Sequence, residues 1–462
     1  LGSSRKTDCF RGRSLEEGAL MHHILNTRII STLRVSSLLL LSFLGTLQAQ
    51  DRVSFNGQQL FLNGVNLAWK QFADDIGPSS STPDLNHFEN VFDRVKANGG
   101  NCLRLWLHTN GAHTPAWNGS MVTGPGKDAI SDLRAILDQA WERKVGLMLC
   151  LWSFDMQRIE YGTGITDRAR AILTTPANRQ SYIDNALIPM VQALKGHPAI
   201  QSWEIFNEPE GMSNEFGWDF TRHVPMSDIQ AFVNQCAGAI KRTDPGAQVT
   251  NGSWSFFAAT DVGEGNLNYY RDDRLIAAGG DRDGTLDFYC VHYYDWAGTV
   301  RSPFHHQASH WGLDKPLVVA EFYPGSDHGC QNCGSSPHQA LFNLGYAGAL
   351  GWSWTDRDPS TLLAQTKAMA DAYPNAVRVD GNNGGNSNGG SNSGDGTGTA
   401  PQTSSANNTG SFYNAATYQW DFGSANSPLF SGYSRVTEAT TQGYARWTNG
   451  SGLRSADRGG SR

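Results

Sequence analysis

Between Asp51 and about Asp380 the sequence alternates short apolar runs with amphipathic stretches, and the pattern recurs eight times. Alternating β and α segments joined in this way build a parallel sheet covered by helices. Eight units predict an α/β fold closed as a (β/α)8, or TIM, barrel. The expected strands are Gly64 to Ala68, Asn101 to Leu107, Val145 to Trp152, Ile200 to Asn207, Gln248 to Asn251, Leu286 to His292, Leu317 to Glu321 and Gly348 to Trp352. Helical spacing of apolar residues marks Leu85 to Asn98, Ile130 to Arg143, Gln180 to Leu194 and Ile229 to Thr243 between them.

Polar residues at the C-terminal ends of barrel strands are the ones to suspect of chemistry, because a barrel site is built there. Strand four ends in Asn207-Glu208-Pro209, and strand seven runs apolar until it delivers Glu321. Two strand-end glutamates suggest glycoside hydrolysis with retention, in which one carboxyl protonates the leaving oxygen and the other attacks the anomeric carbon from roughly 5 to 5.5 Å away. Glu208 is the expected acid/base and Glu321 the expected nucleophile. Arg104, Asn207, His292, Tyr294 and Trp352 fall at neighbouring strand ends and are expected to contact substrate or hold the carboxylates. Trp69 and Trp254 are expected to line sugar subsites, with Trp106, Trp152, Trp296 and Trp354 as further candidates and His108 and His113 as loop contacts.

The bulk composition agrees with a neutral ligand. Charged residues make up 17% of the chain, against about 25% in ordinary globular proteins. The 14 Trp, 14 Tyr and 21 Phe supply flat apolar faces of the kind sugar rings stack on. A net charge of -7 gives no reason to expect nucleic acid or an anionic membrane. No His-rich or Cys-rich cluster stands at ligand spacing, so neither a metal nor any cofactor is expected. Cys102, Cys150, Cys236 and Cys290 lie in apolar runs and read as buried hydrophobes. Cys330 and Cys333 lie in a Gly-rich loop, where a local disulfide is expected.

Residues 1–50 are expected to be a non-native leader followed by an export signal. The signal runs from Met21 through basic Arg28 and Arg34 and the apolar Val35 to Leu47, and stops near Ala49. Its apolar run is shorter than the roughly 20 residues a membrane span needs, so a secreted, extracellular and monomeric protein is expected. Residues 51–380 form the expected catalytic domain. Residues 381–410, rich in Gly, Asn and Ser, form the expected linker. Residues 411–462 are aromatic and strand-like but short for a whole β-sandwich of about 100 residues, so a fragment is expected; Trp420 to Gly423 and Gly432 to Thr437 resemble the opening of accessory β-sandwich domains of other polysaccharide-degrading enzymes.

Taken with these motifs, residues 51–380 resemble glycoside hydrolase family 5, a clan A family of retaining barrels. Within it they are similar to secreted endo-β-1,4-mannanases, over Gly64 to Trp69, Asn101 to His108, Trp203 to Gly211 and Gly284 to Tyr289 with His292. The resemblance implies Glu208 as acid/base, Glu321 as nucleophile, supporting roles for Arg104, Asn207, His292, Tyr294 and Trp352, and a β-mannan or related plant or algal polysaccharide as substrate. One position departs from the pattern: many members carry a His at the end of strand three, where this chain reads Trp152-Ser153-Phe154-Asp155. The rival expectations are an endo-β-1,4-glucanase with the same machinery and a non-catalytic carbohydrate-binding barrel.

Overall fold

In the computed structural model of the chain, residues 52–79, 82–324 and 336–380 are described, together with strands Trp420–Phe422 and Ser434–Val436. The chain divides into two units, residues 1–383 and 384–462. In the second unit the two strands pair in parallel, with Trp420 opposite Ser434. The expected signal segment, the linker and the Cys330–Cys333 bridge lie outside the described residues.

Eight strands of the first unit close a parallel barrel in sequence order. They are β1 (Leu62–Asn66), β2 (Cys102–Thr109), β3 (Gly146–Ser153), β4 (Ile200–Asn207), β5 (Val249–Ser253), β6 (Tyr289–His292), β7 (Leu317–Glu321) and β8 (Gly348–Gly351). The limits of β4 and β7 match the sequence expectation. β1 begins and ends two residues earlier than expected, because beyond Asn66 the chain is no longer regular strand, although Leu67 N–H still reaches Arg104 O and Trp106 N–H reaches Ala68 O.

Outward side chains such as Leu103, Leu105, Leu147, Leu149, Ile205 and Val319 join the core shared with the helices. The helix Leu85–Ala97 shows how that layer is specified. Asp84 caps it by accepting the His87 N–H, Phe88, Val91, Phe92 and Val95 form its buried stripe, and Gly99 at φ +70° lets the chain turn back towards β2. Inside the barrel a separate cluster, Val53, Leu62, Cys102, Met148, Phe288, Cys290, Val318, Ala320, Ala347 and Leu350, fills the end away from the site. Val53 reaches it from a short hairpin, Val53–Phe55 with Gln58–Leu60, that precedes β1. Cys102, Cys150, Cys236 and Cys290 are free and buried. Among the described residues no helix is long and apolar enough to cross a membrane.

Register slips occur between β2 and β3, β3 and β4, β4 and β5, and β6 and β7, and the last two bear on the strand-end side chains of β4 and β7. β4 carries one residue more than β5 between the pairs Glu204 with Thr250 and Asn207 with Gly252. β7 carries one more than β6 between Val291 with Val319 and His292 with Glu321. Strict alternation would send Glu204 and Asn207 to opposite faces, since they are an odd number of residues apart. The slip turns both inward. On β7 it lets Glu321 enter the barrel directly after inward-facing Ala320.

Candidate active site

Above the apolar cluster the barrel interior becomes polar, and Arg104 on β2 organises it. Its side chain is fully buried, and all five guanidinium N–H groups have acceptors. Nε and Nη2 form a fork to Glu204, at 2.6 Å to Oε2 and 2.7 Å to Oε1. Nη1 donates to Glu321 Oε1 at 2.6 Å and Asn66 Oδ1 at 3.1 Å, and Nη2 also donates to Asn207 Oδ1 at 2.9 Å. Burial alone would depress the Arg104 pKa, but the adjacent Glu204 charge outweighs it and holds it well above the ordinary value. Asn66 in turn donates to Ala320 O, Leu350 O and Gly351 O, which ties the arginine to the backbone of β7 and β8. β5 fits against this pair only because residue 252 is Gly: a Cβ there would lie 2.1 Å from Glu204 Oε1.

Glu321 is buried at the end of β7, and each oxygen has a donor: Arg104 Nη1 on Oε1 and Tyr294 Oη on Oε2 at 2.7 Å. Burial pushes its carboxyl above the ordinary range, while Arg104 and Tyr294 pull it back towards the ionised form. Glu208 follows the last residue of β4 in a left-handed turn at φ +47°, where a non-Gly residue costs about 1–2 kcal/mol. Its N–H bonds Gly252 O at 2.8 Å, and its side chain keeps 13% of its surface exposed, against 4% for Glu321. Glu208 is thus the one of the pair open to the mouth. His292 Nδ1 stands 2.9 Å from Glu208 Oε1 and 3.5 Å from Glu321 Oε2. Burial lowers the imidazole pKa to about 4, so it is neutral near pH 7. One oxygen of each glutamate and a His292 ring nitrogen all lie within 4.8 Å of one another. No other set of three or more metal-ligand side chains converges among the described residues, and here both Glu321 oxygens already accept from protein donors.

At the position where the family pattern has a histidine, Ser153 and Asp155 fill the space. Asn207 Nδ2 donates to Ser153 Oγ at 3.3 Å, and Ser153 Oγ donates to Asp155 Oδ2 at 2.5 Å. With its Oδ1 on Arg104, the Asn207 amide is fixed in one orientation and keeps a second N–H.

Two aromatic groups belong to the mouth. Trp69 beyond β1, Trp106 within β2 and Trp352 beyond β8 cluster with ring centroids 5.1 to 6.2 Å apart, and Trp352 Nε1 donates to Asp356 Oδ2. Trp254, beyond β5, stacks on exposed Trp296 at 4.7 Å and 19° and also packs against Phe216, Trp218 and Phe257. Arg104, Asn207, Glu208, His292, Tyr294 and Glu321 therefore meet in one network, while Trp352 with Trp69 and Trp254 with Trp296 stand in separate groups. Trp152 and His108 are elsewhere: both are fully buried, tilted against each other and packed edge-on with Tyr182 in the layer between barrel and helices. His113 is a loop residue beside Asp74.

Sequence reasoning passed over two carboxylates. Glu204 carried a signal, since an acid inside the apolar run Trp203 to Phe206 must find a buried cation. Glu210, also fully buried, accepts from Tyr270, Ser253 and the Trp254 backbone. Burial raises its pKa to about 7 against the pull of those donors.

Two carboxyl groups at the mouth of a closed barrel, one held among donors and one open to solvent, flanked by aromatic faces, are the working parts of a barrel glycoside hydrolase. No protein-family profile matches the chain. Among individual proteins, it is 38% identical over 325 residues to a mannan endo-1,4-beta-mannosidase of Mytilus edulis, an alignment covering 66% of this chain and 86% of that protein. A mannan endo-1,4-beta-mannosidase of Cryptopygus antarcticus is 32% identical over 325 residues, covering 65% and 82%. The solved β-1,4-mannanase of the sea hare Aplysia kurodai superposes with a TM-score of 0.64 at 34% identity, over 72% of this chain and 99% of that one. The chain belongs to the endo-β-1,4-mannanases of glycoside hydrolase family 5.

Proposed function

We propose that the chain cleaves internal β-1,4-mannosidic bonds of mannan or glucomannan by double displacement, with Glu321 as nucleophile and Glu208 as acid/base. The observation that supports the mechanism is that one oxygen of each carboxylate lies within 4.8 Å of the other, an approach compatible with the closely set pair of retaining enzymes, whose carboxyl groups stand roughly 5 to 5.5 Å apart. In the first step Glu321 attacks the anomeric carbon, the bond to the leaving sugar breaks, and the Glu208 proton passes to the departing oxygen. In the second, Glu208 takes a proton from water as that water displaces Glu321, restoring both groups. Arg104 and Tyr294 hold Glu321 charged for attack. Neutral His292 braces Glu208, and the spare Asn207 N–H suits the hydroxyl beside the reacting carbon. Trp352, Trp69 and Trp254 offer ring faces to the chain of sugars.

The substrate assignment rests on the mannanases to which the chain is similar. We further propose export, from the pattern between Met21 and Ala49, and a catalytic domain joined by a Gly/Asn/Ser-rich linker to a second, β-rich segment. The test is to follow the products from linear mannan, glucomannan and soluble cellulose, with Glu321→Ala as control, and to read the first-formed anomer by proton NMR. Short β-anomeric oligomers from mannan with the wild type alone are expected. An initial α-anomer overturns the mechanism, and cleavage of cellulose without mannan moves the assignment to a glucanase.

A further inference from the structure

The Asn-Glu-Pro-Glu segment carries a second glutamate that the double displacement does not use. Glu210 is fully buried, and three donors converge on it. Tyr270 Oη at 2.5 Å and Ser253 Oγ at 2.7 Å share Oε1, and the Trp254 N–H reaches Oε2 at 3.2 Å. The three come from two places: Ser253 ends β5 with Trp254 directly after it, and Tyr270 lies just before the helix Asp272–Gly279. Glu210 itself sits in the tight turn Pro209–Met212 that begins as Glu208 leaves β4.

Both neighbours of this carboxylate matter for the reaction. Glu208 occupies a left-handed conformation that a non-Gly residue holds only when the surrounding chain fixes it. Gly211 N–H accordingly returns to Glu208 O at 3.2 Å, and the Trp218 ring lies so close over Gly211 that a Cβ there would meet it at 2.5 Å. Trp254 carries the indole that stacks on Trp296. A single buried side chain thus joins the turn that aims Glu208 to the backbone of the residue bearing a sugar-sized aromatic face.

We propose that Glu210 is a positioning residue, which fixes the Glu208 turn and the Trp254–Trp296 ledge relative to each other so that proton delivery and sugar stacking share one geometry. The proposal rests on the reading of Glu208 as acid/base. It predicts a defect that grows with the need for a proton. Glu210→Gln keeps the side chain's size but replaces one acceptor oxygen by an NH2 group, so one of the three donors loses its partner.

The experiment compares kcat/KM on two substrates. Mannohexaose has a leaving sugar that must be protonated, whereas 2,4-dinitrophenyl β-mannobioside has a leaving group that departs as an anion. Glu210→Gln is expected to lose on the order of 100-fold on mannohexaose, and less than about 10-fold on the aryl substrate because the general-acid contribution is absent there. Tyr270→Phe, which keeps the Ser253 and Trp254 contacts, is expected to show the same pattern more weakly and carries the comparison if Glu210→Gln does not fold. Equal fractional losses on both substrates, or no loss on either, overturn the proposal. Glu208→Ala serves as the control: it should nearly abolish mannohexaose cleavage and spare the aryl substrate. If it does not discriminate between them, the acid/base assignment itself fails, an outcome distinguishable from a Glu210 variant that fails to discriminate while Glu208→Ala does.

Discussion

Glu204→Gln tests whether the Arg104 network supports both fold and reaction. Arg104 and Glu204 are both fully buried and share two hydrogen bonds of 2.6 and 2.7 Å. Glutamine offers one acceptor where there were two, and its NH2 group confronts a guanidinium N–H. One charged donor is then buried without an acceptor, a cost of about 1–3 kcal/mol or more. Breaking a buried pair by removing one partner costs about 3–5 kcal/mol in all. With unfolding entropy near 2.1 cal/mol/K per residue, the catalytic unit changes by roughly 0.7 kcal/mol/K, so the melting temperature should fall by about 4–7 °C in differential scanning calorimetry. Glu321→Gln provides the internal comparison. It leaves an acceptor for Nη1, which also keeps Asn66, and should cost distinctly less stability while abolishing turnover. Glu204→Gln should retain measurable turnover, lowered on the order of 100-fold as Glu321 and Asn207 lose their common anchor. A melting shift below about 1 °C for Glu204→Gln, or equal destabilisation by the two variants, refutes the reasoning.

Tyr294→Phe removes the donor at 2.7 Å from Glu321 Oε2. Since that donor lowers the nucleophile's pKa and attack needs the ionised form, the acidic limb of kcat/KM against pH should move to higher pH. A limb that stays put or moves down contradicts the assignment. Gly252→Ala places a methyl group 2.1 Å from Glu204 Oε1 and 3.2 Å from Arg104 Nη2; overpacking of this kind costs about 1–3 kcal/mol, and urea midpoints of wild type and variant will show it.

The barrel was legible because eight apolar runs separated by helical patterns admit few other closures, and because β4 and β7 each deliver a glutamate at or directly after their last residue. Asn207, His292 and Tyr294 could be placed at the rim from strand ends alone, whereas Arg104, near the start of β2, is buried inside the barrel and reaches the carboxylates through its long side chain. What sequence could not supply was the direction of side chains around register slips. Trp152 and His108 follow apolar runs as Trp106 and His292 do, yet they turn into the helix layer, where they meet Tyr182 edge-on. Glu204 and Arg104 are separated by a hundred positions, and no local pattern announces that two inward-facing strand residues will pair. Glu210 was hidden for a different reason: its partners come from the loops after β5, whose path depends on contacts rather than on periodicity.

The two slips, on β4 and β7, have a consequence through the closed ring in which they sit. In an open sheet an extra residue can be relieved by sliding a strand out at a free edge. A ring has no edge, so moving either strand by one place would force every other ladder out of phase. The placing of Asn207 and Glu321 is thereby a property of the ring's circumference and count, while Glu208, one residue past β4, takes its aim from the turn that follows it. Loops remote from that turn can lengthen, shorten or exchange aromatic residues while Asn207 and Glu321 stay where the ring sets them.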